Sequence, residues 1–295
     1  MANLKDIKRQ IKSVSNTQKT TRAMKLVSTA KLRRAEELAK RSRAYAEKIN
    51  EMITEISARI QCLKVGGIEN RCFQKIENPK MVDIVFVTAD KGLCGGFNIQ
   101  TLKAVKNLMR ECKEKKIKVR LRGIGKKGIE FFAYNDIELL SAVRDLSSTP
   151  NVQRSNDFIE DSLEDYKTGV IDGLYIIYNG YKNIITQELH VEQVLPINVD
   201  DFDCDETVHS LLEIEAEDDE KMLDALMTKY VHNNMYYALI NSLAAEHSAR
   251  MQAMDTATNN AKEIVQSLNV EYNKARQAAI TTELIEIISG VESMK

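Results

Sequence analysis

Apolar or small residues recur at alternating spacings of three and four through both ends of the chain. At the C-terminal end the series runs Leu223, Leu226, Tyr230, Tyr237, Ile240, Ala244, Met251, Met254, Ala261, Val265, Leu268, Tyr272, Ala275 and Ala279. This is the seam of a coiled coil, and it predicts one uninterrupted helix from about Leu223 to the end. At about 1.5 Å per residue that helix is on the order of 100 Å long, so it must find a partner along its length. The N-terminal end supplies a candidate. Leu4, Ile7, Ile11, Val14, Gln18, Thr21, Lys25, Ser28, Leu32, Ala35, Ala39, Ser42, Ala46, Ile49, Ile53, Ile56 and Ile60 keep the same spacing over residues 2 to about 63, and Gly66-Gly67 is the first stop. This second seam is bulky at both ends and small or polar in the middle, which lets two backbones approach closely. The two helices are expected to pair antiparallel.

Between them the periodicity changes. After Asn78-Pro79 an apolar run, Val82 to Val87, reads as a buried parallel strand. Alternation follows: a helix from about Asn98 to Lys115, a strand Lys118 to Arg122, a helix near Lys126 to Tyr134, a short strand near Glu138 to Ala142, a helix from about Val152 to Thr168, and a strand Leu174 to Tyr178. A last strand, Ile185 to Val194, follows Asn179-Gly180 closely enough to be an antiparallel edge. The fold class is therefore α/β with a long helical coiled coil: an antiparallel helical pair plus an inserted, Rossmann-like doubly wound domain. The expected division is 1–65 for the first shaft helix, 66–221 for the globular domain with an acidic linker, and 222–295 for the second shaft helix.

Composition refines this picture without overturning it. The chain has 295 residues, 43% hydrophobic and 29% charged, which excludes a disordered polymer. A net charge of -1 conceals an asymmetry, because Lys and Arg crowd the first sixty residues while Asp and Glu crowd residues 200 to 220. Different partners at different ends are implied. Cys62, Cys72, Cys94, Cys112 and Cys204 are an odd set without C-x-x-C spacing, and read as reduced thiols rather than a zinc site or a disulfide framework. Neither a signal peptide nor a membrane-spanning run is expected, which places the protein in the cytoplasm.

Three stretches invite chemistry. The loop Asp90 to Asn98 follows the first strand and opens a helix, where phosphates bind in nucleotide folds, but it has neither G-x-x-x-x-G-K-[ST] nor G-x-G-x-x-G. A tight glycine turn is the plainer reading. Cys94 lacks a histidine partner, since His190, His209, His232 and His247 lie in no interpretable pairing. The basic run Lys19, Arg22, Lys25, Lys31, Arg33 and Arg34 carries no interleaved aromatics for nucleic-acid stacking, so a solvated face or an acidic protein surface comes first. The third stretch is the C-terminal tip. Ile280, Leu284, Ile285, Ile287 and Ile288 beside Arg276, Gln277, Thr281, Thr282 and Glu283 are too apolar for a free helix end, so something should surround it.

These residues also carry a resemblance. Ser15 to Val27 (SNTQKTTRAMKLV), Ala30 to Ala35 (AKLRRA), Gly92 to Asn98 (GLCGGFN), Glu246 with Arg250-Met251-x-Ala253-Met254, and Asn273 to Thr281 (NKARQAAIT) closely resemble the gamma subunits of bacterial-type F-type ATP synthases, in matching order across the whole chain.

What the resemblance implies is a rotor without an active site or cofactor of its own. The paired helices would turn inside a ring of alpha and beta subunits. The α/β domain would stand, beside the epsilon subunit, on a membrane ring of c subunits driven by proton flow. The chain would sit peripherally at the cytoplasmic face of the inner membrane, without a direct membrane span and without nucleic acid. By residue-wise match, Met24, Lys25, Arg250, Arg276, Gln277, Thr281 and Glu283 are implied to meet the beta ring, Met24 and Lys25 at an acidic loop. Thr282 stands where Gln is common in that family, and Asp255 where Lys is common. Two readings of other classes stand beside it: a coiled-coil protein binding nucleic acid through its basic N-terminal helix, and a nucleotide-binding enzyme built on Met81 to Val194.

Overall fold

The computed structural model describes residues 4–63, 71–73, 76, 78–197 and 219–293; the side chains of 50, 54–63, 73 and 219–223 lie outside that description. The expected stop at Gly66-Gly67, the acidic segment over 200–218 and the seam positions Ile56, Ile60 and Leu223 therefore fall beyond it. Five helices, α1 (Leu4–Leu63), α2 (Phe97–Glu114), α3 (Lys126–Tyr134), α4 (Val152–Lys167) and α5 (Asp219–Glu292), are described with five strands, β1 (Met81–Val87), β2 (Lys118–Ile124), β3 (Ser141–Val143), β4 (Gly173–Tyr181) and β5 (Gln187–Leu195). The contacts divide them into two units, one formed by Met1–Thr29 with Arg250–Lys295 and one by Ala30–Ala249.

In the larger unit the strands lie in the order β3-β2-β1-β4-β5, the first four parallel and β5 antiparallel at an edge. The chain winds outward from β1 through β2 to β3, then returns to β4 on the other side of β1, so the winding reverses between β1 and β4. Both faces of β1 are covered, as its apolar letters require. Ile84 and Phe86 meet Leu102, Val105 and Phe132 of α2 and α3. Val85 and Val87 point the opposite way, into a cluster with Phe158, Ile159 and Leu163 of α4, Ile49 and Ile53 of α1, and Val231, Met235 and Leu239 of α5.

One residue breaks the expected apolar run. Asp83 is fully buried in β1, directly opposite Arg120 of β2. Its carboxylate accepts from Arg120 Nε (2.6 Å) and Nη2 (2.9 Å), Arg122 Nε (3.0 Å) and Ser162 Oγ (2.9 Å). Arg120 also reaches Asp165, and these hydrogen bonds raise its already high pKa further. The buried charge persists because both carboxylate oxygens are hydrogen-bonded and two guanidinium groups neutralise them.

Two expected boundaries shift for local reasons. The predicted Glu138 to Ala142 strand contracts to β3, because Asp136 adopts a left-handed φ of 54° in the turn before it. Asn179 and Gly180 are not the hairpin turn but part of β4. The turn lies at Asn183, whose Oδ1 accepts from the amides of Ile185 (2.9 Å) and Thr186 (2.7 Å). Gly180 serves packing instead, since a Cβ there would come within 2.6 Å of the His190 ring.

Candidate partner-binding surfaces

In the smaller unit, two side-chain pairs fix how α1 and α5 run. Thr21 Oγ1 lies 2.7 Å from Thr258 Oγ1, and Lys25 Nζ donates to Asp255 Oδ1 at 2.6 Å. The α1 number rises by one turn as the α5 number falls, so the helices are antiparallel. Burial follows the seam. Ile7, Thr21 and Ser28 of α1 and Met254 and Ala261 of α5 are buried, with Ile11, Val14 and Gln18, and Val265, Leu268, Tyr272, Ala275 and Ala279, half-buried between them. Small or hydroxyl side chains occupy the middle of the seam.

Past Ala279 the pattern ends. Every residue from Ile280 to Ser293 is exposed, including Ile280, Leu284, Ile285, Ile287, Ile288 and Val291. At about 100° per residue, Ile280, Leu284, Ile287, Ile288 and Val291 form one stripe, turned roughly 130° around α5 from the seam. The stripe is thus no continuation of the face that meets α1. It is a second apolar face without a partner among the described residues.

All seven residues implied by the resemblance fall within this unit. Gln277 and Thr281 border one side of the stripe, with Thr281 Oγ1 donating to the Gln277 carbonyl at 3.0 Å. Arg276 and Glu283, a heptad apart and exposed, border the other. Arg250 is half-buried and engaged by neighbouring groups. Met24 is 39% exposed, whereas the ammonium of Lys25 is held by Asp255. Around Met24 the exposed surface mixes apolar with basic residues, since Leu26 and Val27 stand 64% and 57% exposed beside exposed Arg22 and Lys31. Leu26 and Val27 escaped sequence reasoning. Their off-seam position was the available signal, because large aliphatic residues outside a seam have no partner within the pair.

In the larger unit the loop Asp90 to Asn98 packs against the chain's own helix. It crosses the point where the winding reverses, the usual ligand crevice of such sheets. Here Cys94 and Phe97 are buried against Ala245 and Ala249 of α5, so the chain's own helix fills the crevice. Asn98 Oδ1 accepts from Ala89 N (2.9 Å), and Asn179 Nδ2 donates to the Phe97 carbonyl (2.7 Å), tying loop to sheet. Of the loop glycines only Gly95 needs its freedom, at a φ of 57°. Cys72, Cys94 and Cys112 are buried and form no disulfide among the described residues, while Cys62 and Cys204 lie outside the described side chains. Burial pushes the Cys72 thiol up to about 11. His190 stacks on Tyr178 at 4.9 Å, and His232 pairs with Glu160, both structural uses; His209 lies beyond the described residues.

Comparison with known proteins accounts for this combination of a paired shaft, an unpartnered tip and a filled crevice. The family model described as ATP synthase matches residues 3–294. The ATP synthase gamma chain of Sulfurimonas denitrificans is 72% identical, and that of Nitratiruptor sp. 59% identical, each over 295 residues covering 100% of both chains. The fold is similar to a chain from the central stalk and c-ring structure of Tetrahymena thermophila mitochondrial ATP synthase (TM-score 0.59, 24% identity, 81% of this chain and 99% of that one). It is also similar to one from the rotor of the Euglena gracilis enzyme (TM-score 0.63, 18% identity, 94% and 98%). Neither the nucleic-acid reading nor the nucleotide-enzyme reading finds support in these likenesses. A chain matched end to end by gamma chains, with the helical pair and the inserted sheet that their resemblance implies, belongs to the ATP synthase gamma chain family.

Proposed function

We propose that this chain is the central rotor shaft of a proton-translocating ATP synthase, coupling rotation of a membrane ring of c subunits to ATP synthesis at the beta subunits. Nucleotide chemistry belongs to those beta subunits, and the chain itself is a noncatalytic subunit. The observation that carries the reading is the exposed tip of α5, whose apolar stripe faces away from α1 and calls for a surrounding sleeve. A smooth apolar stripe suits a shaft that must turn, because dispersion contacts are non-directional and hold no single angle. Arg276, Gln277, Thr281 and Glu283 at the tip, with Lys25 and Arg250 lower down, supply the polar contacts to the beta ring, and Met24 an apolar one. No helix among the described residues is long and apolar enough to cross a membrane, in keeping with a peripheral subunit. We place it at the cytoplasmic face of the inner membrane, with residues 66–221 as the foot beside epsilon on the ring, and 1–65 and 222–295 as the shaft.

The test is stoichiometric recovery of alpha and beta subunits with the tagged chain, followed by removal of residues 284–295. Loss of rotation-coupled ATP synthesis in the truncated enzyme is expected. Untouched assembly together with untouched coupling would remove the tip from the contact set. Retention on DNA at physiological salt, without alpha and beta, would overturn the shaft itself.

A further inference from the structure

The N-terminal edge of the sheet carries a positive charge that the shaft reading does not use. There, where β1, β2 and β4 begin and α2 ends, lies an open cleft of about 1240 Å³. Lys80, Lys115, Lys116 and Lys118 line it and are all exposed, and none of their ammonium groups has an ion-pair partner among the described residues. Several bases of the same unit are matched, Arg71 with Asp172, Arg120 and Arg122 with Asp83, Lys167 with Asp224, Lys182 with Glu188, whereas four unmatched lysines gather in this one cleft. Two acids line the cleft. Asp172 is consumed by Arg71 and by the amides of Lys80 and Met81, which leaves Glu111 against four lysines.

The backbone that carries the lysines is held. Lys116 N donates to the Lys113 carbonyl (3.0 Å), Ile117 N to that of Cys112 (2.8 Å), and Lys118 N to that of Lys80 (2.8 Å). Together these close a helix-ending turn that joins α2 to the sheet. Lys116 takes the left-handed position of that turn, φ 60°, where glycine is usual and any side chain is strained. The helix dipole explains a lysine at the end of α2, but not Lys80 and Lys118 on the strand side.

We propose that this cleft is a docking surface for an acidic loop of another subunit of the complex, its carboxylates seated between Lys80 and the Lys115–Lys118 turn. The inference rests on the shaft reading for the existence of such a complex. Concavity favours a protruding loop over a flat bilayer surface. Met81, Leu108 and Val170 in the lining supply apolar contact area, and the exposed lysines correspond to the polar rim of a protein interface. Carboxylates complement an all-lysine rim, whose mobile point charges need no bidentate geometry.

Carbodiimide treatment of the membrane-bound complex tests it, because the reagent joins a lysine amine to a carboxylate only at contact. Coupling of Lys115, Lys116 or Lys118 to an acidic residue of a second subunit is expected. The variant K115R/K116R/K118R should lose the cross-link yet keep attachment, while K115Q/K116Q/K118Q should weaken attachment about tenfold and make it more sensitive to salt. Cross-links confined to this chain's own residues 200–218, or no cross-link at all, would overturn the proposal. So would wild-type binding of the purified chain to anionic phosphatidylglycerol vesicles that the glutamine variant loses, with no inter-subunit cross-link. The two readings fail separately: without alpha and beta co-purifying, the shaft falls, whereas a glutamine variant that keeps them and is indistinguishable in attachment sinks only the cleft.

Discussion

Lys25 shows how a single contact redirects an expectation. As a free cation on a basic helix it would meet an acidic loop, but Asp255 holds it at 2.6 Å, with the two side chains 37% and 48% exposed. A pair so exposed stabilises by about 0–1 kcal/mol. Lys25→Ala should therefore leave urea unfolding of the chain almost unchanged. Met24→Lys should also spare stability, since the side chain already meets solvent, yet it replaces an apolar contact beside Leu26 and Val27 with a cation. We expect ATP hydrolysis to uncouple from proton pumping in that variant; unchanged coupling would remove Met24 from the contact surface. At Cys72 burial raises the thiol from the usual 9.0 to about 11. Below pH 9 folded and unfolded chains both hold the proton. Above it the unfolded chain releases the proton first, so stability falls as the pH rises toward 11, by on the order of 2 kcal/mol. Cys72→Ala should flatten that part of the urea-midpoint profile, and a profile that keeps its slope would assign the loss to other groups. None of these contacts was visible in the sequence, because a seam position names a face and not the residue across it.

At the scale of elements, periodicity carried most of the information. Both long helices, the parallel strands and the antiparallel edge followed from spacing, since side chains on a seam or a pleat must share a burial fate. Spacing failed where a residue's partner is remote in sequence. Arg120 and Arg122 alternate along β2 as solvent-facing residues would, and Asp83 looks like an intrusion into β1, until the strands pair and the three meet beneath α4. Asp83→Ala leaves two guanidinium groups short of a partner, one of them on a residue only 3% exposed, and should destabilise the chain by about 3–5 kcal/mol. Equilibrium urea denaturation followed by circular dichroism will read it. A second remote constraint lies at Gly125, where φ is 98° and a Cβ would fall 1.9 Å from the Thr88 carbonyl oxygen. Gly125→Ala should cost more than Asp83→Ala or prevent folding, whereas Gly92→Ala, with nothing within 4 Å, should be silent. In the sequence these glycines look alike; only the neighbouring strand distinguishes them.

At the scale of the whole molecule, the tip was legible because an apolar helix end is conspicuous against any solvent-exposed baseline. The lysine cleft was not, since Lys80 joins the Lys115–Lys118 turn only through the pairing of β1 with β2. Family likeness supplied the meaning of the tip, and the rotation of its stripe away from the seam supplied the independent physical reason. That stripe also bears on how the cell must handle the protein. Until the proposed sleeve encloses it, each newly made chain presents Ile280, Leu284, Ile287, Ile288 and Val291 to other apolar surfaces, its own copies first among them. Synthesis in excess of the enclosing subunits should then yield oligomers, and light scattering of the chain made alone should show them, with residues 280–295 removed as the monodisperse control. On the proposed reading the supply of this subunit is bound to the supply of its partners: a cell that overproduces the shaft should gain no additional motors and accumulate aggregate.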